Sequence, residues 1–89
     1  MNVLSANTVS SKAAAGTIIG KFSHPGASGG QYVLDAEAQA FFSVNSSNQL
    51  VWSPAAGIST SPGFYPICVS AIFSGYDAED SQFIIQVTA

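Results

Sequence analysis

The residues of this chain that could carry covalent or acid–base chemistry are few and lie far apart. His24 is the only histidine and Cys68 is the only cysteine. A Cys–His pair needs both side chains, and a Ser–His–Asp triad needs a serine nucleophile on a sharp turn. His24 instead stands beside Pro25 before a glycine-rich stretch, and Cys68 lies within an apolar run without a cation to favour its thiolate. The sequence therefore predicts a solvated loop histidine and a strand cysteine.

The acidic residues fall into two groups, neither of which predicts a site. Asp35 and Glu37 could form an acid–base pair, but no aromatic-lined cleft accompanies them in the sequence. Asp77, Glu79 and Asp80 cluster near a turn, whereas calcium takes about six to eight oxygen ligands with several carboxylates. A single histidine and a single cysteine also exclude the usual zinc sites. We expect no catalytic residue, no metal and no cofactor, and hence no enzyme.

The elements that position these residues are β-strands, because apolar and polar residues alternate along most of the chain. The clearest alternation covers 65–73, whose odd-numbered residues form one apolar face. A turn-rich loop follows, and a return strand over 81–88 again has its apolar residues at odd positions. Facing every inward residue with another inward residue predicts a register for this hairpin. It pairs Ala71 with Phe83, Val69 with Ile85, and Ile67 with Val87.

Five more strands are predicted upstream of this hairpin. Glycine, proline, asparagine and serine clusters separate them and mark the turns and loops. They cover 2–10 (as a split edge strand), 16–22, 31–35, 41–44 and 49–52. About seven strands with turns every eight to twelve residues predict an all-β, Greek-key β-sandwich. It forms a single domain over residues 1–89.

The composition predicts a fold stabilised by apolar burial and a surface of low charge. The chain has 89 residues, of which 47% are hydrophobic and 8% are charged, against roughly 25% charged in an average soluble domain. One cysteine permits no internal disulfide. Two lysines, no arginine and a net charge of −3 cannot neutralise nucleic-acid phosphates, so we expect no nucleic-acid partner. The low charge is typical of an extracellular β-domain or of a protein packed in an assembly.

Several stretches, which together span nearly the whole chain, resemble a cadherin repeat of the divergent bacterial or bacteriophage type. They are 7–9, 15–20, 42–45, 48–51, 63–71 and 83–88. Immunoglobulin-like domains have similar strand patterns, and Tyr65 stands where their tyrosine corner would be. The calcium ligands of the family are missing, since 10–12 reads Ser-Ser-Lys where it has a glutamate and Phe73 replaces an aspartate. The resemblance therefore implies the cadherin/Ig-like sandwich without its calcium sites.

Small modules of this type are often carried on phage heads and tails, and the resemblance implies such a role here. We expect a virion decoration (capsid cement) or tail-associated protein at the virion surface. Its partners would be capsid or tail proteins, or further copies of itself in a homo-oligomer. No apolar stretch is long enough to span a bilayer and the first residues lack the features of a signal peptide, so no membrane partner is expected.

A carbohydrate- or cell-surface-binding adhesion module from a larger secreted protein is the alternative. Exposed aromatic side chains would then stack on sugar rings, and the extracellular or cell surface would be the location. The candidates are Tyr32, Trp52 and Tyr76, although Trp52 is expected in the core.

The alternation also predicts which apolar residues point away from the core. Ile72 and Ile84 do so in the last hairpin, and Phe41 and Val51 do so in the strands around the 45–48 turn. On a surface with so few charges, outward apolar residues can form one continuous patch, which marks an interface. We predict that Ile72, Ile84, Phe41 and Val51 contribute to the docking surface.

Overall fold

A computed structural model describes residues 2–25, 30–73 and 78–89 and shows an all-β fold with eight strands. The strands form two packed four-stranded sheets, in the orders β1-β3-β6-β5 and β2-β8-β7-β4. All neighbours pair antiparallel except β2 and β8, which are parallel. The bounds are β1 Val3–Leu4, β2 Thr8–Ser10, β3 Thr17–Ser23, β4 Gln31–Leu34, β5 Phe42–Val44, β6 Gln49–Trp52, β7 Gly63–Ile72 and β8 Glu79–Thr88.

The prediction of about seven strands is wrong by one, because the first segment divides between the two sheets. It was predicted as a split edge strand, and its halves β1 and β2 pair with β3 and β8 respectively. The chain passes from one sheet to the other at Ala6, directly over Gly20. A Cβ on Gly20 would lie 2.5 Å from the Ala6 carbonyl oxygen, so only glycine permits this close approach.

The β7–β8 hairpin has the predicted faces but not the predicted register. Ile67 lies opposite Phe83, not Val87, which is a shift of four residues, and Ala71 lies opposite Glu79. The shift arises because β8 begins at Glu79, within what was predicted to be the loop. An even shift leaves every side chain on its original face. The core residues of both strands are therefore as predicted, and only their partners differ.

The first half of β7 has one free edge, because β4 pairs only with Val69 to Ile72. Asp35 continues the pairing by one step. Its N–H donates to the Cys68 carbonyl (3.0 Å), and its Oδ1 accepts from the Cys68 N–H (3.1 Å). Pro66 lies two residues earlier and turns its backbone to the same, uncovered side. Its missing N–H therefore costs no sheet hydrogen bond.

The core lies between the sheets and is formed by the inward residues of both. Tyr32 stacks on Phe22 with ring centroids 5.2 Å apart, so Tyr32 is buried and the prediction of an exposed aromatic there is wrong. Trp52 is 0% exposed, as predicted. The largest fully buried side chains are Trp52, Phe22, Phe42, Leu50, Ile67, Ile85, Val69 and Val87.

The one helix among the described residues is a 3-10 helix, Ala38–Ala40, between β4 and β5. No helix in the described part of the chain is long and apolar enough to cross a membrane. The 3-10 helix packs beside the first half of β7 and forms one wall of the pocket described below.

Candidate docking surface

The outward face of the sheet β2-β8-β7-β4 carries most of the exposed large apolar side chains of the described residues. Phe64 is 71% exposed, Ile72 and Val33 are each 45% exposed, and Ile84 is 44% exposed. All four project from the side of the sheet that faces away from the core, and the exposed Pro66 and Cys68 lie between them along β7. We name this set the outer face: Val33, Phe64, Pro66, Cys68, Ile72 and Ile84.

The polar residues of this face are almost uncharged. Gln31, Gln82 and Gln86 are exposed around the apolar set. Asp80 is the one charged residue on this side of the four strands, and it accepts a hydrogen bond from the Ser70 hydroxyl. Apolar contacts surrounded by amide side chains resemble an ordinary interface core with a polar rim. Little charge would have to be desolvated to cover this surface.

Two of the four predicted interface residues belong to the outer face. Ile72 and Ile84 both point outward, as the alternation predicts. The corrected register separates them, because Ile84 lies opposite Pro66. Pro66 and Ile72 are six steps apart along an extended strand, which is about 20 Å at a rise of about 3.3 Å per residue. Ile72 therefore lies at one end of the face, and Ile84 lies beside Pro66, next to the other end, which Phe64 forms.

Val51 and Phe41 do not join them, and the prediction of an exposed Val51 is wrong. Val51 does point away from the core, but it lies in the other sheet and is only 8% exposed. It has a strand partner on each side, Ile18 of β3 and Ser43 of β5. Phe41 precedes β5, is half-buried, and packs edge-on against Tyr65 with centroids 4.9 Å apart.

The sequence reasoning missed Phe64, Val33 and Pro66 as surface residues. Phe64 was left outside the predicted strand, which began at Tyr65, although it has the same parity as Ile72. Val33 lay within a predicted short strand whose outward face was not considered. Continuing the even-numbered positions of the last hairpin back to residue 64 would have identified Phe64.

A small pocket adjoins one end of the outer face, where the start of β7 meets the 3-10 helix. It has a volume of about 230 Å³ and is bounded by Glu37, Phe41, Phe42, Phe64, Tyr65 and Pro66. The Tyr65 ring lies at 84° to Phe41 and at 90° to Phe42. The Tyr65 hydroxyl is held by the backbone of Ser61: it donates to the carbonyl (2.6 Å) and accepts from the N–H (3.1 Å).

His24 is not the solvated loop residue that the sequence predicts. Its Nε2 lies 3.2 Å from Oε1 of Glu79, and its ring packs edge-on against Phe73. The hydrogen bond from His24 lowers the pKa of Glu79 below its ordinary value. Asn2 Nδ2 donates to the Glu79 carbonyl (3.1 Å) and to Ser81 Oγ (2.9 Å). These contacts fix the start of β8.

The described residues contain no group of three or more His, Cys, Asp or Glu side chains placed to hold a metal ion. Asp77, part of the acidic group noted in the sequence, lies outside the described residues, as does Tyr76. Phe73, at the position where the cadherin resemblance would place an aspartate, is 8% exposed and packs in the core. Comparison of the chain with protein-family models, with curated proteins and with solved structures gives no match.

Proposed function

We propose that this chain is a non-enzymatic structural or binding module that attaches to another protein through its outer face. The concrete setting is a bacteriophage virion, in which it decorates the capsid or joins the tail at the particle surface. The observation that carries this proposal is the row of exposed apolar residues along β7, formed by Phe64, Pro66, Cys68 and Ile72 and interrupted only by Ser70, with Val33 and Ile84 beside it. Exposed apolar surface of this kind marks interaction sites.

We also propose that the fold is a Greek-key sandwich of the cadherin/Ig-like class, and the strand arrangement supports this. Immunoglobulin-type sandwiches have strands ABED in one sheet and CFG in the other, so their last two strands are neighbours in one sheet. The orders β1-β3-β6-β5 and β2-β8-β7-β4 fit this arrangement. The bond from Tyr65 to the backbone of Ser61 also fits a tyrosine corner, whose hydroxyl binds a few residues upstream.

The energetics favour a protein partner over a glycan. Completely burying a large apolar side chain contributes about 1.5–3 kcal/mol, and Val33, Ile72, Ile84 and Phe64 are still 44–71% exposed. The glycan alternative relied on Tyr32, Trp52 and Tyr76; the first two are buried, and the third lies outside the described residues. Phe64 is the one exposed large aromatic side chain among the described residues, and the other exposed large side chains of its face are the aliphatic Val33, Ile72 and Ile84.

Replacing Ile84 with Asp tests this proposal. The side chain is exposed in the free chain, so the variant should fold, whereas docking would bury an unpaired carboxylate and should be lost. The matched control is Ile18→Asp, because Ile18 is also an exposed strand isoleucine (53%) but lies in the other sheet. Ile85→Asp should unfold the chain, since Ile85 is 0% exposed.

The measurement is sedimentation of affinity-labelled variants with particles from the native source on a density gradient, with circular dichroism as the check on folding. Wild type and Ile18→Asp should appear in the particle fraction, and Ile84→Asp should remain with soluble protein. Wild-type chain that never sediments with particles would contradict the virion setting. Folded Ile84→Asp that sediments like wild type would contradict docking through the outer face.

A further inference from the structure

The pocket beside the outer face has the chemistry of a receptor for one positively charged side chain. Its walls are aromatic, from Phe41, Phe42, Phe64 and Tyr65, and its one charged residue is Glu37. We propose that it receives an arginine side chain of the partner protein. This inference rests on the proposed function, since the pocket shares Phe64 and Pro66 with the outer face and would be covered in the same contact.

The size of the pocket suits a side chain better than a free ligand. Pockets for small molecules and cofactors usually measure about 300–1,000 Å³, whereas this one measures about 230 Å³. It is open to solvent on the side of Phe64, which is 71% exposed, so a side chain can enter from a protein seated on the outer face. The other walls are already in place, because the Ser61 contacts hold the Tyr65 ring and Phe42 is 2% exposed.

The electrostatics of the pocket select a cation. Aromatic rings present a negative face to a cation within about 6 Å of the centroid, and three of the rings here are mutually packed at steep angles. Glu37 is exposed at the rim, and no described residue donates a hydrogen bond to its carboxylate. A bound cation would therefore contact the face of an aromatic ring and the Glu37 carboxylate at the same time.

Arginine fits this combination better than lysine. Its planar guanidinium stacks on an aromatic ring and can also give two parallel hydrogen bonds to one carboxylate. The chain itself contains no arginine, so the side chain must come from a different protein and not from a second copy. The net charge of −3 also favours a partner surface that carries positive charge.

The test is a titration of the isolated chain with N-acetyl-arginine amide, followed by amide chemical shifts in NMR spectra. Saturable shifts are expected at Glu37, Phe41 and Tyr65, and not along the rest of the outer face. N-acetyl-citrulline amide, the neutral isostere, should give no saturable shifts there. Equal shifts with citrulline, or no shifts around the pocket with arginine, would overturn the inference.

Two variants sharpen this titration. Glu37→Gln should weaken arginine binding about threefold, the scale of a partly exposed ion pair. Asp80→Asn removes one negative charge elsewhere on the same face and should leave binding unchanged. Equal weakening by both would indicate a general charge effect and contradict a defined pocket.

Failure of the titration while Ile84→Asp still abolishes docking would reject the arginine pocket alone. Arginine binding without any docking defect in Ile84→Asp would reject the proposed function instead.

Discussion

The contact between His24 and Glu79 joins residues that are 55 positions apart in the sequence. Glu79 begins β8, and His24 follows β3, so the pair connects a strand of one sheet to a strand of the other. Phe73 lies against the His24 ring. At the scale of single residues, this contact is where the fold couples most clearly to pH.

The lowered pKa of Glu79 predicts how stability changes with acid. A carboxyl group whose pKa is lower when folded contributes stability above its ordinary pKa of 4.5, and this is lost as pH falls through the folded value. Urea unfolding of wild type from pH 7 to about pH 3 should therefore show a loss that Glu79→Gln reduces. Glu37→Gln, which removes an exposed carboxylate without such a contact, is the control. An unchanged pH profile in Glu79→Gln would contradict this role.

At the scale of elements, alternation predicted the faces of the strands but not their partners. Odd positions of β7 and β8 point to the core whether Ile67 faces Phe83 or Val87, because the two registers differ by an even number of residues. The choice depends on where β8 starts, and Glu79 is held there by His24 and Asn2, which are distant in sequence. No local pattern contains that information.

The native cysteine offers a test of this register. Cys68 lies opposite Gln82, and its N–H and carbonyl bond to Asp35 on the other side, which makes Cys68–Gln82 a non-hydrogen-bonded pair. Such pairs have Cα atoms about 4.5 Å apart, within the range for a disulfide. Gln82→Cys should therefore form an internal disulfide on mild oxidation, seen by thiol titration and peptide mapping.

Gln86→Cys is the matched control for this disulfide test. The register predicted from the sequence would place Gln86 opposite Cys68, whereas the structure places it opposite Phe64. Gln86→Cys should keep two free thiols at low protein concentration. A disulfide in Gln86→Cys and none in Gln82→Cys would show that the register derived from the sequence was right.

At the scale of the whole molecule, the burial of an outward residue depends on which strands flank it. Val51 and Ile84 both point away from the core, yet Val51 is 8% exposed and Ile84 is 44% exposed. Val51 has a strand partner on each side, Ile18 and Ser43, whereas Ile84 is paired only with Pro66, because β2 pairs with β8 only from Gln86 to Thr88. The period-two pattern of the sequence does not show this difference. The pocket could not be predicted from the sequence either, because Glu37 and Tyr65 come together only when the 3-10 helix packs beside β7.

The low charge of the chain suits a protein that buries one of its surfaces against a partner. Only 8% of its residues are charged, and Asp80, which is hydrogen-bonded to Ser70, is the one charged strand residue on the same side of the sheet as the outer face. A face of this kind can be buried against a partner with little loss of charge hydration. We therefore expect the outer face to be covered when the protein is assembled.

The alkylation rate of Cys68 reports on the burial of the outer face, because Cys68 is the single cysteine of the chain and is exposed in the middle of this face. Iodoacetamide should modify Cys68 readily in the free chain and much more slowly in the chain bound to particles. Ile18→Cys in a Cys68→Ser background reports on the opposite sheet and should react at the same rate in both states. Unchanged reactivity of Cys68 on assembly, with protection of Ile18→Cys, would place the interface on the other side of the molecule and contradict the account.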